Sequence, residues 1–387
     1  MNNKKILYVL DTISIGGAEL SVLELIKNIQ EFDIIVCVIY KAKNELLIEF
    51  NHYAKNLILF NIPHRFGFFS ASIKLKRVIQ QERPILVHAN HFRSEIIARI
   101  VVPSFKIPLV CTLISDSHSK DRYNLLSKKE VIKLEFYRFI NKVTANRANL
   151  FLSVSNAIVI PNMKYLGIPK GKIKVIPNGR DVCKYNNAVP IERTSLNLSS
   201  EDILIVSNSR VIRSKGFDEI FMAFNVLLQN FRNIKLIIVG DGFDMSYYKS
   251  ICNKLKIEES VTFLGRRKDI PEILKACDIF WFASHYEGSP GVVIEGMLSK
   301  IPIIASDINP NIENLVHKNN SLLFKMGDYL DLASQTRFLL ENWSLKSKLT
   351  SNAYDLAKQK FDIRTIARNH EIEYKALIES YLNLKTF

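Results

Sequence analysis

Two glutamates with seven residues between them, Glu287 and Glu295, stand within 284–297, Ser-His-Tyr-Glu-Gly-Ser-Pro-Gly-Val-Val-Ile-Glu-Gly-Met. Glu287 directly follows an apolar run at 279–283, and Gly288, Ser289, Pro290 and Gly291 lead from it into a helical pattern. A helix begun this way turns unpaired N–H groups and the positive end of its dipole toward a phosphate. Glu295 falls about one turn further in, where a carboxylate can accept hydrogen bonds from a ribose diol, while Glu287 can reach sugar hydroxyls. On an ordinary surface helix two glutamates would mean little; here one buried run precedes them and another follows at 301.

Arg210 and Lys215 stand five apart behind the run 203–208, with Gly216 ahead of a helical pattern at 217–228. Two cations converging on a strand end suit a diphosphate, arginine as a planar fork and lysine as a point charge. Taken alone, the same residues also describe a solvated basic loop. Gly16-Gly17-Ala18-Glu19 opens the amphipathic stretch 20–29, either as a simple turn or as a place where backbone can approach a phosphate. Gly240-Asp241-Gly242 after Ile237-Ile238-Val239 begins like a dinucleotide fingerprint, but Met245 stands where the third glycine belongs. A tight strand-to-helix turn lining a ligand cleft is the better account.

These groups need strands and helices to aim them. Apolar, β-branched runs fall at 5–10, 34–39, 57–62, 85–89, 109–113, 150–154 and 173–176, then at 203–208, 235–239, 261–264, 279–283, 301–305 and 321–324. Near-continuous apolar strands with helical patterns between them indicate parallel sheets covered on both faces. Two such series predict an α/β protein of two doubly wound, Rossmann-like domains whose ligands lie outside the carboxyl ends of the strands, facing an interdomain cleft. The expected limits are 1–180 for the first domain, a linker at 181–202, a second domain at 203–362, and a tail helix at 363–387 that can pack back on the first.

Composition agrees with a chain of 387 residues in two domains: 48% hydrophobic and 24% charged residues exclude wholesale disorder. No stretch reaches the ~18 uninterrupted apolar residues of a membrane span, since the best, 100–114, is broken by Pro103, Lys106 and Pro108. The N-terminus reads as a buried first strand, not a signal peptide. Five cysteines, odd in number and without a CxxC, argue against a disulfide framework or a zinc site and fit a reducing cytoplasm. Fifty-three Lys and Arg against 38 Asp and Glu give a net charge of +15. That excess either marks an anionic partner or reflects a lysine- and asparagine-rich proteome. Nucleic acid is not expected, because no helix-turn-helix, aromatic strand pair or zinc spacing is present.

At this point the chain resembles the retaining glycosyltransferases of family 4, which have the GT-B fold. The resemblance runs over nearly the whole chain. It rests on Gly16-Gly17-Ala18-Glu19, Val175-Ile176-Pro177-Asn178-Gly179, Arg210 with Lys215-Gly216, Val239-Gly240-Asp241-Gly242, Val261-Thr262-Phe263-Leu264-Gly265, and the Glu287–Glu295 pair. It implies a nucleotide-diphospho-sugar donor, UDP-linked by family habit. Arg210 and Lys215 would bind its diphosphate and stabilise the leaving group, Glu295 its ribose and Glu287 the transferred sugar. The amides of Gly16, Gly17, Gly291, Val292 and Val293 would cradle phosphate, and Asp241, Gly242, Gly265 and Arg266 would border the base. Cations and helix ends can take the charge a departing diphosphate gains, so no metal or other cofactor is expected.

The chain departs from the pattern in three places. Ile114 stands where many members have a histidine, with His118 four residues on as its candidate replacement. Arg180 follows Asn178-Gly179 where an aliphatic residue is usual, and Asn309-Pro310-Asn311 replaces a glycine-rich turn before Glu313. Aromatics interleave with cations at 63–83 and again at 122–147, which holds Lys128, Lys129, Lys133, Arg138, Lys142, Leu134, Phe136, Phe139 and Ile140. Such segments either dock on an anionic membrane or cover their own core with lysine stems. The membrane reading gives a cytoplasmic enzyme, peripheral at the inner face, with a lipid-linked saccharide acceptor in a bacterial surface-polysaccharide pathway. The alternatives are a nucleotide-sugar epimerase or phosphorylase of the same fold, and a catalytically silent subunit that binds lipid or a partner.

Overall fold

The computed structural model describes residues 4–63, 67–196 and 198–383. His64, Arg65 and Phe66 of the first basic–aromatic segment lie outside the described residues. The chain divides into two units, the first comprising the described residues within Met1–His118, Leu126–Gly179 and Ile363–Phe387, the second those within Ser119–Leu125 and Arg180–Asp362.

The first unit holds a parallel sheet of seven strands: β1 (Lys5–Leu10), β2 (Asp33–Tyr40), β3 (Asn56–Ile62), β4 (Leu86–Ala89), β5 (Leu109–Leu113), β6 (Leu150–Ser153) and β7 (Ile173–Val175). Their order is β3-β2-β1-β4-β5-β6-β7. Side chains alternate along a strand: Leu7 and Val9 enter one core with Val87, Cys111 and Phe151, while Ile6, Tyr8 and Leu10 enter another with Val36, Leu86 and Val110. Both faces of the central strands are therefore covered, and these strands are apolar at nearly every position instead of alternating, whereas the edge strands β3 and β7 are partly exposed.

The tail forms the helix Ile363–Asn383 and belongs to this unit, burying Ile363, Ile366, Ala367 and Tyr374 in the second of these cores. A buried polar chain fixes it. The Tyr374 hydroxyl lies 2.6 Å from the Tyr8 hydroxyl and 2.7 Å from His88 Nδ1, and His88 Nε2 lies 2.7 Å from Thr112 Oγ1. Glu371 accepts the backbone N–H groups of Gln30 and Glu31, each at 2.7 Å.

The second unit holds six parallel strands: β8 (Ile203–Asn208), β9 (Ile234–Val239), β10 (Val261–Gly265), β11 (Ile279–Phe282), β12 (Ile303–Ser306) and β13 (Leu322–Phe324). Their order is β10-β9-β8-β11-β12-β13. One face packs Ile205, Ile238 and Trp281 against Phe217, Phe221 and Phe224, and the other packs Val206, Phe280 and Phe282 against Ile294 and Met297. The stretch expected as a linker, 181–202, carries the helix Val182–Asn187, with Val182 and Tyr185 buried in this unit's core. Two doubly wound, Rossmann-like units thus account for all thirteen expected runs. Among the described residues no helix is long and apolar enough to cross a membrane.

Candidate functional site

In an open parallel sheet the crevice opens where strand order reverses, between neighbours whose connections leave in opposite directions. In the second unit that point lies between β8 and β11, paired through Ile205–Ile279 and Val206–Phe280. The loop behind each strand carries one half of the expected chemistry. Behind β8, a short 3₁₀ turn at Arg213–Lys215 ends on Gly216, whose φ of 69° starts the helix Phe217–Leu228. A side chain at Gly216 would overlap the Ala283 carbonyl, so glycine is dictated here by both backbone and space.

That close approach is what joins the two loops. The Ser214 carbonyl accepts from the His285 N–H at 3.0 Å and from Ser284 Oγ at 3.2 Å. His285 Nε2 lies 2.9 Å from Glu219 on the helix behind β8. Lys215 Nζ then pairs with Glu287 Oε1, both side chains half-buried. Arg210 lies exposed at the end of the same strand. The cation expected at the diphosphate and the carboxylate expected at the sugar are thus direct neighbours.

Glu295 has a partner that sequence reasoning left without a role. Arg180 Nε donates to its Oε1 at 2.9 Å across 115 positions, and Asn208 Nδ2, at the end of β8, donates to Oε2 at 3.3 Å. The Arg180 guanidinium lies against Gly291, the first residue of the helix Gly291–Leu298, in the space a Cβ there would take. Of the three amides of this helix expected to cradle phosphate together with those of Gly16 and Gly17, the Val293 N–H is taken by the Pro290 carbonyl at 3.1 Å. Gly291 and Val292, at the helix start, have no such partner among the described residues. The only sequence signal for Arg180 was its place after Asn178-Gly179.

Asp241, Gly242 and Arg266 gather on the β9–β10 side. The Asp241 carbonyl accepts from the Val211 N–H at 3.1 Å and the Gly265 carbonyl from the Gly240 N–H at 2.8 Å, tying the ends of β8, β9 and β10 together. Gly240, at a φ of 130°, and Gly242 are pressed against the Ser209 and Val211 carbonyls. The Arg266 and Asp241 side chains approach to 3.7 Å and stay half-exposed.

In the first unit the reversal falls between β1 and β4. Gly16 and Gly17 begin the helix Gly17–Asn28 behind β1; Gly16 is extended, and a Cβ on Gly17 would meet nothing within 4 Å. Behind β4 stands His91, which the sequence reading passed over because it looked for a histidine after β5. Its Nδ1 accepts the Asp11 N–H at 3.1 Å, so in the neutral ring Nε2 carries the proton; Nε2 has no hydrogen bond and lies 3.8 Å from Glu19. Asp11 Oδ1 in turn accepts the Ser94 N–H at 2.7 Å. Its signal was available: a polar residue directly after a buried strand at the reversal point. His118 is buried behind β5, its ring 5.4 Å from that of Tyr165.

The helix Lys128–Ala145 buries Leu134, Tyr137, Asn141, Thr144 and Ala145. It exposes Ile132, Phe136, Phe139 and Val143 at 71%, 61%, 66% and 60%, an apolar stripe at helical spacing. Lys128, Lys129, Lys133 and Lys142 are exposed on the same helix. Sequence reading had Phe136 and Phe139 in this role but not Ile132 or Val143. Leu134 faces the core, and Ile140 is half-buried.

The family model described as "Glycosyl transferases group 1" matches residues 189–356. The one described as "Glycosyltransferase Family 4" matches residues 15–183. The chain belongs to the group 1/family 4 glycosyltransferases. Within that family it is 27% identical over 265 residues to the UDP-Gal:alpha-D-GlcNAc-diphosphoundecaprenol alpha-1,3-galactosyltransferase of Escherichia coli, covering 66% of each chain. It is 28% identical over 240 residues to the N,N'-diacetylbacillosaminyl-diphospho-undecaprenol alpha-1,3-N-acetylgalactosaminyltransferase of Campylobacter jejuni, covering 60% of this chain and 61% of that one. The matches span about half to two-thirds of the length of the curated relatives. Among solved structures, Anabaena HepE in complex with UDP and glucose gives a TM-score of 0.83 at 24% identity, covering 97% of this chain and 100% of that one. At that identity the likeness is one of fold, and the fold is that of the GT-B glycosyltransferases.

Proposed function

We propose that this chain is a retaining, metal-independent glycosyltransferase that moves a sugar from a UDP-linked donor to a lipid-linked saccharide during assembly of a bacterial surface polysaccharide. The observation that carries this reading is the pair of cation–carboxylate contacts, Lys215 with Glu287 and Arg180 with Glu295, at the β8/β11 reversal beside a helix start. The carboxylates would take hydroxyls of sugar and ribose. Lys215 and Arg210 would take the diphosphate, whose negative charge grows as the glycosyl–phosphate bond breaks. Glycine at 17 is required by nothing in the chain itself, which fits a helix start approached by an anionic ligand.

Metal independence is supported by these fixed cations. The E. coli relative's name supports a UDP donor, and both relatives' names support a polyprenol-diphosphate acceptor. An acceptor held in a bilayer fits the apolar stripe Ile132–Phe136–Phe139–Val143 among lysines, each cation contributing about 1 kcal/mol near acidic lipid. The enzyme would then work at the inner face of the cytoplasmic membrane.

The test is incubation with UDP-, GDP- and ADP-sugars and a polyprenol-diphosphate-linked sugar, with and without chelator. The expected result is transfer from a UDP-sugar alone, chelator-insensitive, with the donor's anomeric configuration kept in the product. Conversion of donor in the absence of acceptor would point instead to an epimerase. No turnover of any nucleotide-sugar would sink the reading.

A further inference from the structure

We propose that Ser306, at the end of β12, and Asn311 just behind it are positioning residues that hold the Glu287 loop against Lys215; the inference rests on the donor reading above. Asn309-Pro310-Asn311 stands where the family pattern has a glycine-rich turn, and it takes no part in the contacts at the β8/β11 reversal described so far. It lies in the short helix Asn309–Ile312. Asn311 is buried there, and its Nδ2 donates back to the Ser306 carbonyl at 2.7 Å. That carbonyl can only accept, so the orientation of the amide is settled, and its Oδ1 has no hydrogen bond. An amide buried at that cost is held for its donor side.

The chain of bonds continues toward the donor site. The β11–β12 ladder ends at the pair Phe282–Ala305. Past it, the buried Ser284 accepts at its carbonyl from the Ser306 hydroxyl at 2.7 Å. A carbonyl in that place must meet some donor, and here a side chain replaces the missing strand N–H. Ser284 Oγ in turn lies 3.2 Å from the Ser214 carbonyl and 3.3 Å from the Tyr286 carbonyl. The first belongs to the residue before Lys215, the second to the residue before Glu287. Asn311, Ser306 and Ser284 thus form a buried relay that starts behind β12 and ends at both members of the Lys215–Glu287 pair.

The two members do not depend on it equally. Lys215 stands in a turn closed by its own bonds, its N–H donating to the Ile212 carbonyl and that of Gly216 to the Arg213 carbonyl, each at 3.0 Å. Glu287 lies within 283–290, which is neither helix nor strand, and the near end of that loop is held through Ser284 and His285. Removing the Ser306 hydroxyl frees the Ser284 carbonyl to turn, which moves Glu287 more than Lys215. A displaced carboxylate loses its hold on a sugar hydroxyl, because hydrogen bonds weaken steeply with angle and distance. The relay therefore acts on recognition of the sugar, through Glu287, and little on the diphosphate.

The experiment measures binding of UDP and of UDP-glucose, UDP-galactose and UDP-N-acetylglucosamine to the full-length protein, following the conjugate that wild type binds best. Wild type is compared with Ser306→Ala, Asn311→Ala, Glu287→Gln and the Ser306→Ala/Glu287→Gln double variant, with thermal melts to check folding. Ser306→Ala should weaken binding of the conjugate by ~5–10-fold and of UDP by less than ~2-fold, the scale of losing one hydrogen bond to the sugar. In the Glu287→Gln background the same change should cost nothing further, because a residue that acts through Glu287 has no effect once that carboxylate is gone. Asn311→Ala should give smaller effects of the same kind, and it carries the test if Ser306→Ala does not fold. Equal losses for UDP and its conjugate, or losses that add to those of Glu287→Gln, would show a merely structural role and overturn the proposal. So would a wild type that binds UDP and every conjugate alike. Wild type that binds none of UDP, GDP or ADP would instead overturn the donor reading itself, a failure distinct from these.

Discussion

The two reversal points of this protein are built alike and furnished differently. Between β1 and β4 the loops close on themselves: Asp11 caps the helix Phe92–Val101, His91 Nδ1 takes the Asp11 N–H, and Thr12 donates to Glu19 at 3.1 Å. Asp11 and His91 are buried. Between β8 and β11 the loops instead present two cation–carboxylate pairs, Arg180 buried against Glu295 and Lys215 with Glu287 half-buried, with Arg210 exposed beside them. Topology alone brings loop ends together in both units, while the residue types decide whether they satisfy one another or wait for a ligand. The glycines show the same contrast. Gly216, Gly240 and Gly242 are demanded by neighbouring carbonyls, whereas Gly17 has open space around it.

The sharpest way to break this comparison is to disarm the second unit's site. Lys215→Ala and Glu287→Gln should each lower transfer by about 10²–10³-fold, the usual cost of losing one preorganised group aimed at developing charge, while leaving the thermal midpoint nearly unchanged. Near-normal initial rates in both variants would remove the site from the reaction. Next come the glycines. Gly216→Ala should destabilise the protein by roughly 2–4 kcal/mol, combining left-handed strain with a backbone overlap. Gly17→Ala should be neutral or stabilising by about 0.5–1 kcal/mol yet weaken donor binding. Denaturant unfolding together with UDP titration separates the two, and a Gly17→Ala protein with unchanged UDP affinity would leave that glycine as a turn only.

The smallest effect sharpens the first unit. Burial pushes His370 down to about 4 and His88 well below its ordinary range. Both rings are thus neutral in the fold but take up protons in the unfolded chain below about pH 6.5. Their contribution is complete above that value and is lost as pH falls toward 4, at about 1.4 kcal/mol per pH unit for each ring. Comparing His370→Gln with wild type cancels the titrating groups that His370 does not touch, leaving its own contribution and its coupling to His88. The variant's stability should fall less steeply between pH 6.5 and 4, and parallel curves would refute the argument.

Much of this was legible beforehand. Thirteen apolar runs and two series of them follow from local pattern, because a parallel strand covered on both faces must be apolar at nearly every position. Glu287, Glu295, Arg210 and Lys215 were legible for a related reason: each lies just behind a strand, where such folds put their chemistry. Arg180 was visible only as an oddity, since nothing local says that a residue 115 positions away from Glu295 will lie on the same helix start. His91 was missed because attention fell on the strand after it. The stripe on Lys128–Ala145 was half seen, because a helical pattern with apolar residues all round does not say which of them face the core.

Short-range regularity therefore carried the elements, their number and the kind of chemistry at their ends, since propensity and periodicity act within a few residues. What only the tertiary structure decided was pairing: which carboxylate meets which cation, which amides stay open, and which glycines the protein itself requires. Those outcomes depend on distances between segments far apart in the chain, set by how sheets and helices pack and not by any single stretch of sequence.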